Sequence, residues 1–277
     1  MIAKGMITKR ANTEQMPAQT IERDYVLTHL CADIGALNDP RLVFKGGTLL
    51  RLCYFMSYRY SADLDFSVVD GLSRTEASAI IAAAVTACRQ RLELPLLDLS
   101  TDDGPSAWVT YVGPLTAQPR RLKLDISDTE LVETHRLVAL HARWPDMPEA
   151  ATIEGYTLNE VAAEKLRCIA ERVQCRDLYD LHELLDGDHI DPLDAWELYL
   201  RKATNDLGHG KQRTPPQEWT AALTRRLDAY RQRWEGELGD YIPGKIPSFG
   251  AIERRVKRRL SPVVAAATTL ARSVGEH

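Results

Sequence analysis

Hydrophobic residues recur along the chain at two different spacings, which predicts both helices and strands. Residues 21–37 carry apolar side chains at intervals of three and four, the period of a helix. Strands are predicted where short apolar runs are bounded by Gly, Pro or Asp, at residues 42–44, 96–99, 107–112 and 122–126. We therefore expect an α/β (α+β) fold, with a small mixed β-sheet followed by a mainly helical C-terminal region.

The change of pattern divides the chain into two predicted domains, residues 1–150 with the sheet and residues 151–277 with the later helices. Residues 1–19 are polar and show no clear period, so we expect irregular structure there. Towards the C-terminus two helices are predicted, at residues 251–260 and 263–274.

Composition adds a broad class to this picture. Of the 277 residues, 44% are hydrophobic and 27% charged, as in ordinary globular proteins. No apolar run approaches the length of a membrane span, and the first residues lack the apolar core of a signal peptide. The five cysteines have no metal-like spacing. We therefore expect buried free thiols and a protein of the reducing cytoplasm.

Charge is unevenly distributed between the two parts of the chain. Residues 201–277 carry 15 Lys and Arg against 8 Asp and Glu, whereas residues 1–200 carry 20 against 31. A basic C-terminal part on an acidic body suggests an anionic partner. A solvated helical face would give the same composition.

A glycine pair follows the first predicted strand. Gly46 and Gly47 stand between that strand and residues 48–52, which are predicted to form a short helix. Two glycines at such a junction let the backbone approach a ligand closely. Amide N–H groups at a helix N-terminus also suit a phosphate. The stretch therefore predicts a phosphate-binding site.

Two carboxylates follow on an alternating stretch. Asp63 and Asp65 share one face of the predicted strand, with Leu64 and Phe66 on the other. Neighbouring carboxylates repel unless a cation lies between them, and Mg²⁺ prefers such oxygen ligands. Asp125 on a neighbouring strand would complete a metal site, although an edge-strand aspartate facing solvent fits the pattern too. A phosphate cradle beside a metal-binding pair predicts phosphoryl or nucleotidyl transfer.

The second informative stretch is residues 157–187, predicted as two helices. Lys165 lies among apolar residues, and Asp177 and Asp180 share a helix face at a spacing of three. Buried charges need partners or a ligand, and a triphosphate would suit Lys165 and Arg176. A purely structural salt-bridge network between the two helices remains the alternative.

These residues carry a resemblance to a known family. KGGTLLRLCYFMSYRYSADLDF resembles the first motif of the AbiEii/AbiGii-type nucleotidyltransferase toxins, a glycine pair, a helix and a Ser-x-Asp-x-Asp strand. That family lies within the polymerase-β-like superfamily and is related to the mycobacterial MenT-type toxins. EVAAEKLRCIAERVQCRDLYDLHELL resembles the family's later motif, Glu-Lys-Leu followed by Arg-Asp-x-x-Asp-Leu. The motifs stand in the expected order and extend the resemblance over residues 20–187.

The resemblance implies roles for the first group of residues. Asp63 and Asp65 would hold catalytic Mg²⁺ ions that bridge the phosphates of a substrate NTP. Gly46 and Gly47 would support the triphosphate, and Ser61 would lie beside it.

The later motif would complete the site. By the same resemblance, Lys165 would bind phosphate and offset developing charge, and Asp180 would act with it. Asp125 matches the superfamily's third carboxylate, a metal ligand and the base for the incoming hydroxyl. Arg176 would support nucleotide binding.

The resemblance also implies a biological setting. Such toxins add nucleotides to RNA, typically the tRNA 3′ end, and are paired with a separately encoded antitoxin. The basic C-terminal part gives an independent reason to expect RNA, and its RNA-binding candidates are Arg254, Arg255, Lys257, Arg258 and Arg259. A cationic face without an RNA role is the alternative. We expect a monomer with no membrane association.

Two other classes of function compete with an RNA-modifying toxin. One is an enzyme of the same fold that modifies a small molecule or a protein hydroxyl. The basic C-terminal part argues against a small substrate. The other is a non-catalytic binding protein that keeps the fold, and the intact Asp63, Asp65, Lys165 and Asp180 argue against it.

Overall fold

The computed structural model describes residues 4–101, 106–208 and 210–274, which form two compact units. The first unit comprises Met1–Tyr156 and Asp240–Lys245, and the second comprises Thr157–Gly239 and Ile246–His277. The division therefore falls after Tyr156, not after residue 150, because residues 152–156 add a strand to the sheet.

Seven strands form the sheet of the first unit. They are β1 Leu42–Lys45, β2 Asp63–Val68, β3 Leu96–Thr101, β4 Ser106–Val112, β5 Arg120–Ser127, β6 His135–Ala139 and β7 Thr152–Tyr156. Their order across the sheet is β3-β4-β5-β2-β1-β7-β6. The sheet is mixed, because β2 runs parallel to β5 and β1 parallel to β7 while the other neighbours are antiparallel.

Helices pack against this sheet within the first unit, and other helices make up the second unit. In the first unit they are α1 Lys4–Glu14, α2 Ala18–Ala36, α3 Gly46–Leu49, which continues as a π-helical turn Leu50–Tyr54, and α4 Arg74–Leu92. In the second they are α5 Leu158–Glu171, α6 Cys175–Asp186, α7 Pro192–Gly208, a 3₁₀ turn Pro216–Glu218, α8 Trp219–Leu238 and α9 Phe249–Val274.

Alternation along β2 and β5 gives the sheet one apolar and one polar face. Leu64 and Phe66 are fully buried, and they pair in register with Leu124 and Ile126 on β5. Phe44 of β1 stacks on Phe66 with ring centroids 5.1 Å apart. Helix α4 packs on this apolar face. The carboxylates of β2 therefore lie on the opposite, polar face.

The two units have separate cores. In the second, α5 packs against α6, α7 and α8. The indole N–H of Trp219 donates to the Leu166 carbonyl at 2.8 Å, and the rings of Trp196 and Trp219 meet edge to face at 5.7 Å. Trp219 thus combines apolar burial with a satisfied indole N–H, whereas the indole N–H of the buried Trp196 has no hydrogen-bond partner among the described residues.

Two expectations about secondary structure were wrong, and one strand was not predicted. Residues 4–14 are helical and not irregular, because Ile7 and Ala11 bury one turn apart despite the polar surroundings. The two predicted C-terminal helices are one, α9, which passes through the exposed Pro262. Strand β7 was missed altogether, since five residues give too short a pattern to identify.

All five cysteines are buried and unpaired, as expected from the sequence. Burial raises the pKa of the Cys53 thiol to about 12 and that of Cys168 to about 11. Burial also raises the pKa of Cys31, Cys88 and Cys175. Thiols of this kind stay protonated and inert at neutral pH.

In the described part of the chain, no helix combines the length and apolar character needed to cross a bilayer.

His29 of α2 is buried between an aspartate and an arginine. Its Nε2 lies 3.1 Å from Asp146 Oδ1, and its Nδ1 lies 3.1 Å from Arg91 Nη1. Because arginine can only donate, Nδ1 accepts and Nε2–H donates to Asp146, so the ring is neutral. Burial lowers the pKa of His29, Asp146 opposes that shift and Arg91 adds to it.

The stability of the protein is therefore expected to fall as the pH drops from 7.5 to 5.5. The pKa of His29 in the fold is below its ordinary 6.5, so the unfolded chain binds the extra proton. Its contribution is complete above pH 6.5 and is lost as the pH falls towards the folded value. His29→Gln should flatten the dependence of Tm on pH. His141→Gln should flatten it less, because the pKa of His141 is also lowered by burial but the side chain is less enclosed. A wild-type Tm that is flat over this range would contradict the assignment.

Candidate active site

The carboxylates of β2 belong to a polar row that crosses three strands. Asp65 pairs in register with Lys45 of β1 on one side and with Asp125 of β5 on the other. Asp63 lies two residues away on the same face and pairs with Lys123. Directly opposed residues place their side chains about 5 Å apart on one face. Asp125 thus lies on an inner strand beside the pair, which excludes the edge-strand alternative.

Gly46 allows the Asp65 carboxylate to approach the backbone closely. Its φ is +80°, a conformation that favours glycine, and a Cβ added there would lie 2.6 Å from Asp65 Oδ2. The first glycine of the pair is therefore required for two reasons, its backbone conformation and the closeness of the catalytic candidate.

Replacing Gly46 by Ala is expected to displace the Asp65 carboxylate and to reduce nucleotide transfer by at least about tenfold, with a backbone strain of roughly 1–3 kcal/mol. Gly71→Ala is a matched control, because Gly71 has φ +77° but nothing within 4 Å of an added Cβ. Both variants carry the conformational strain, and only the first moves Asp65. If Gly46→Ala and Gly71→Ala lost the same Tm and had the same activity, the closeness of Gly46 to Asp65 would have no role in transfer.

Gly47 makes room for a buried arginine. A Cβ at Gly47 would lie 2.1 Å from Arg59 Nη2, and Arg59 is only 3% exposed. The hydroxyl of Thr48 donates to the Asp63 carbonyl at 2.5 Å. The glycine pair and the start of α3 are thereby fixed to β2, which holds the two aspartates beside the pair.

A second polar group lies on the β1 side of the row. Lys45 forms an ion pair with Glu130, and the Ser67 hydroxyl donates to the same Glu130 carboxylate at 3.1 Å. Ser67 also lies 2.8 Å from the hydroxyl of Tyr156. Sequence reasoning missed Lys45 and Glu130. Lys45 could have been found, because it immediately precedes the glycine pair.

The donor set of the row fits Mg²⁺ only in part. Asp63 and Asp65 offer hard carboxylate oxygens on one face, which is the chemistry that this ion requires. Asp125 lies 2.5 Å from the ammonium of Lys123, which already supplies a cation. In the described residues, no three Asp, Glu, His or Cys side chains are gathered as a metal-binding group. A metal role for Asp125 thus remains a prediction.

The second unit brings its candidates together in a buried cluster. Lys165 of α5 places its ammonium 2.8 Å from both Asp177 Oδ1 and Asp180 Oδ2 of α6. Asp180 is fully buried and Lys165 is 8% exposed. Arg172 adds a bond from its Nε to Asp177 Oδ2 at 2.9 Å. Both the structural network and a phosphate site need such a lysine, so the geometry alone leaves both roles open.

The cluster controls the ionisation of Asp177. Burial would raise the pKa of this carboxyl, but Lys165 and Arg172 outweigh it and hold the pKa below its ordinary value. The carboxylates of Asp177 and Asp180 both lie beside the ammonium of Lys165. Asp177 therefore stays ionised at neutral pH beside the ammonium of Lys165.

The remaining predicted residues differ in exposure. Ser61 is buried at 6% exposure, and Arg176 is half-buried at the start of α6. On α9, Arg255 and Arg259 pair with Asp186 and Asp188.

The other three RNA-binding candidates on α9 differ in whether they form an ion pair. Lys257 pairs with Glu253 at 2.7 Å. Arg254 and Arg258 are exposed one turn apart and form no ion pair among the described residues. The predicted basic face is thus partly neutralised, and its unpaired part is narrower than the five residues indicated.

Comparison with known proteins gives a family and a fold. Residues 30–258 match the family model described as the nucleotidyl transferase AbiEii toxin of a type IV toxin–antitoxin system. The fold resembles MenT4, a nucleotidyltransferase toxin from Mycobacterium tuberculosis H37Rv, with a TM-score of 0.70 and 21% identity over 96% of this chain and 90% of that chain. No curated protein matches the sequence significantly.

Two structures from Helicobacter pylori share the fold more distantly. JHP933 has a TM-score of 0.54 and 17% identity, covering 94% of this chain and 98% of that one. A putative nucleotidyltransferase has a TM-score of 0.51 and 17% identity, covering 92% and 99%. At such identities these structures establish the shared fold alone.

The family match spans both the β2 carboxylates and the Lys165 cluster, and it implies a cognate antitoxin. The chain belongs to the AbiEii family of nucleotidyltransferase toxins of type IV toxin–antitoxin systems, and it is an NTP-using transferase.

Proposed function

We propose that this toxin transfers nucleotides from an NTP to the 3′ end of an RNA, most readily tRNA, with Mg²⁺ as cofactor. The observation that carries the proposal is the row of Lys45, Asp65 and Asp125 beside Gly46. Asp63 on the same face adds a third carboxylate. Asp63 and Asp65 would then serve a metal-bound triphosphate on one side, and Asp125 would serve an incoming hydroxyl on the other.

The reaction would exchange one phosphate ester for another. The 3′ hydroxyl oxygen of the RNA bonds to the α-phosphorus, the bond from that phosphorus to the β-phosphate bridge breaks, and pyrophosphate leaves. Bound Mg²⁺ would neutralise the phosphate oxygens. Asp63 and Asp65 would hold it, while Gly46 and Gly47 leave room for the triphosphate. Asp125 would accept the hydroxyl proton.

The contact with Lys123 sets a condition for Asp125 to act as the base. The Lys123 ammonium lies 2.5 Å from Asp125 Oδ2 and occupies this carboxylate oxygen. An incoming hydroxyl can reach that oxygen only as Lys123 moves to another anion. An RNA phosphate is such an anion, so we expect substrate binding itself to release the base.

The Lys165 cluster would supply the cationic part of the chemistry. Lys165 would bind phosphate and offset the charge that develops as pyrophosphate leaves. Asp177 and Asp180 would hold its ammonium in place until then, and Arg176 would support the nucleotide. The depressed pKa of Asp177 supports this role, since an ionised pair keeps Lys165 charged.

Helix α9 would contribute electrostatic affinity for RNA through Arg254 and Arg258. Reversing both charges to Glu is expected to weaken tRNA binding roughly tenfold at physiological salt and to lower the salt slope by about two. Reversing Arg255 and Arg259 is the matched control. Those side chains already pair with Asp186 and Asp188, so their loss should cost less. Equal effects of the two pairs would contradict a role for the exposed face.

Incubation with total tRNA, Mg²⁺ and each labelled NTP tests the proposal. Label on tRNA that is lost with EDTA and with Asp63→Asn supports it. Label on a protein or a small molecule instead would overturn the RNA assignment. A monomer is expected in solution, with the cognate antitoxin as a separate partner, and light scattering of the purified toxin checks the first part.

A further inference from the structure

An aromatic ring and a guanidinium stack on the polar face of the sheet, beside the carboxylates. Trp108 of β4 and Arg121 of β5 have the guanidinium carbon 4.3 Å from the centre of the indole ring. Trp108 is half-buried and Arg121 is exposed. Arg121 forms no ion pair among the described residues, whereas the exposed Arg91 of the same unit pairs with Asp33. The Arg121 guanidinium therefore lies over the indole at the surface and keeps its outer side exposed.

Register places this stack in line with the proposed active site. Trp108 pairs with Lys123, and Lys123 pairs with Asp63, so the three lie in one cross-strand row on the same face. Neighbouring strands are about 4.8 Å apart. The indole is thus about 10 Å from Asp63, which is the span of one nucleotide with its sugar.

The strand order indicates which substrate would use the stack. Gly46 and Lys45 lie on the β1 side of β2, where the triphosphate is proposed to bind. Arg121 lies on the other side, on β5 with Asp125, and Trp108 lies one strand further out on β4. In-line transfer needs the leaving pyrophosphate and the attacking hydroxyl on opposite sides of the phosphorus. The stack therefore lies on the side of the acceptor.

We propose that the terminal base of the acceptor RNA stacks on the outer face of the Arg121 guanidinium, which Trp108 supports from beneath. This inference rests on the proposed function, since it names the acceptor subsite of the same centre. Bases stack on arginine planes and aromatic rings with little regard to sequence. Lys123 lies in the same row. Its ammonium would leave Asp125 and bind the RNA phosphate next to the stacked base.

The experiment measures affinity for a single-stranded RNA with a 3′ hydroxyl, without NTP and with the full chain. Arg121→Lys keeps the charge and removes the plane, and lysine cannot replace arginine at a stacked site. Removing one base stack costs roughly 5- to 150-fold in affinity, so we expect about a tenfold weaker Kd. Trp108→Ala should weaken binding similarly and Trp108→Phe less. Arg89→Lys is the matched control, because Arg89 lines the groove between α4 and Leu97 on the apolar side of the sheet.

An RNA that lacks its terminal base makes the test specific. Wild type should bind it about as weakly as Arg121→Lys binds intact RNA, and Arg121→Lys should lose nothing further. If Arg121→Lys weakened the binding of intact RNA and of RNA without the terminal base by the same factor, Arg121 would be a simple phosphate contact. That result would overturn the proposal. A raised KM for NTP with unchanged RNA affinity would overturn it too, since the nucleotide base would then use the stack. Binding is measured without turnover. A negative transfer assay would therefore contradict the proposed function, while the binding data would still test the stacking proposal.

Discussion

Asp63→Asn is expected to lower kcat by roughly 10³-fold and to leave the Tm unchanged or slightly raised. The carboxylate lies on the polar face of β2, whereas the core contacts of that strand come from Leu64 and Phe66 on the other face. Asparagine keeps the shape and removes one of two neighbouring negative charges on the same face. Relief of that repulsion favours the folded state, so activity and stability should move independently.

Asp70→Asn is the control for this prediction. Asp70 lies two residues after the end of β2, is exposed and has φ +50°, a conformation that asparagine adopts readily. The same chemical change should leave both activity and Tm as in wild type. Full activity of the Asp63 variant would remove the row from the mechanism. A large drop in its Tm would instead mean that Asp63 supports the fold.

Lys165→Met is expected to destabilise the protein by about 3–5 kcal/mol and to abolish transfer. It removes the ammonium that pairs with Asp177 and with the fully buried Asp180. Methionine fills the volume but leaves the Asp180 carboxylate without this ion pair. Adding Asp180→Asn should restore much of the free energy of unfolding and none of the activity. Urea unfolding of the single and double variants measures the coupling.

Lys202→Met separates the two roles of Lys165. Lys202 of α7 is equally buried, with its ammonium 2.6 Å from Glu160 and 2.7 Å from Glu164. Its removal should cost similar stability, because it also breaks a buried ion pair, yet leave transfer intact in the molecules that remain folded. If both lysine variants lost activity in proportion to their folded fraction, the Lys165 cluster would be purely structural.

The sequence predicts the polar part of the site better than its surroundings. Asp63 and Asp65 were assigned to one face from alternation alone, because strand periodicity is a local property. Asp125 was a candidate neighbour from the sequence, with an edge-strand position as the alternative. Its strand and that of Asp65 are separated by two others in the chain, so only the sheet order decides between the two. The ion pair of Lys123 with Asp125 could not be predicted either, since rotamers decide between solvent and a neighbour.

The errors in the predicted secondary structure and basic face also have local causes. The helix α1 was missed because only Ile7 and Ala11 pack on its neighbours, which is too few apolar positions for a period. The basic residues of α9 were counted together, although two of them meet Asp186 and Asp188 from the end of α6. Charge composition reports a sum, whereas binding depends on which side chains remain unpaired.

The inert thiols have a practical consequence for following this toxin at work. With all five native cysteines buried and protonated, maleimide dyes should leave the folded chain unmodified. A cysteine introduced at an exposed position such as Arg225 would then be the sole labelled site, with no background substitutions needed. Fluorescence transfer from that dye to a labelled RNA would report arrival and departure of substrate in real time, in an otherwise native enzyme.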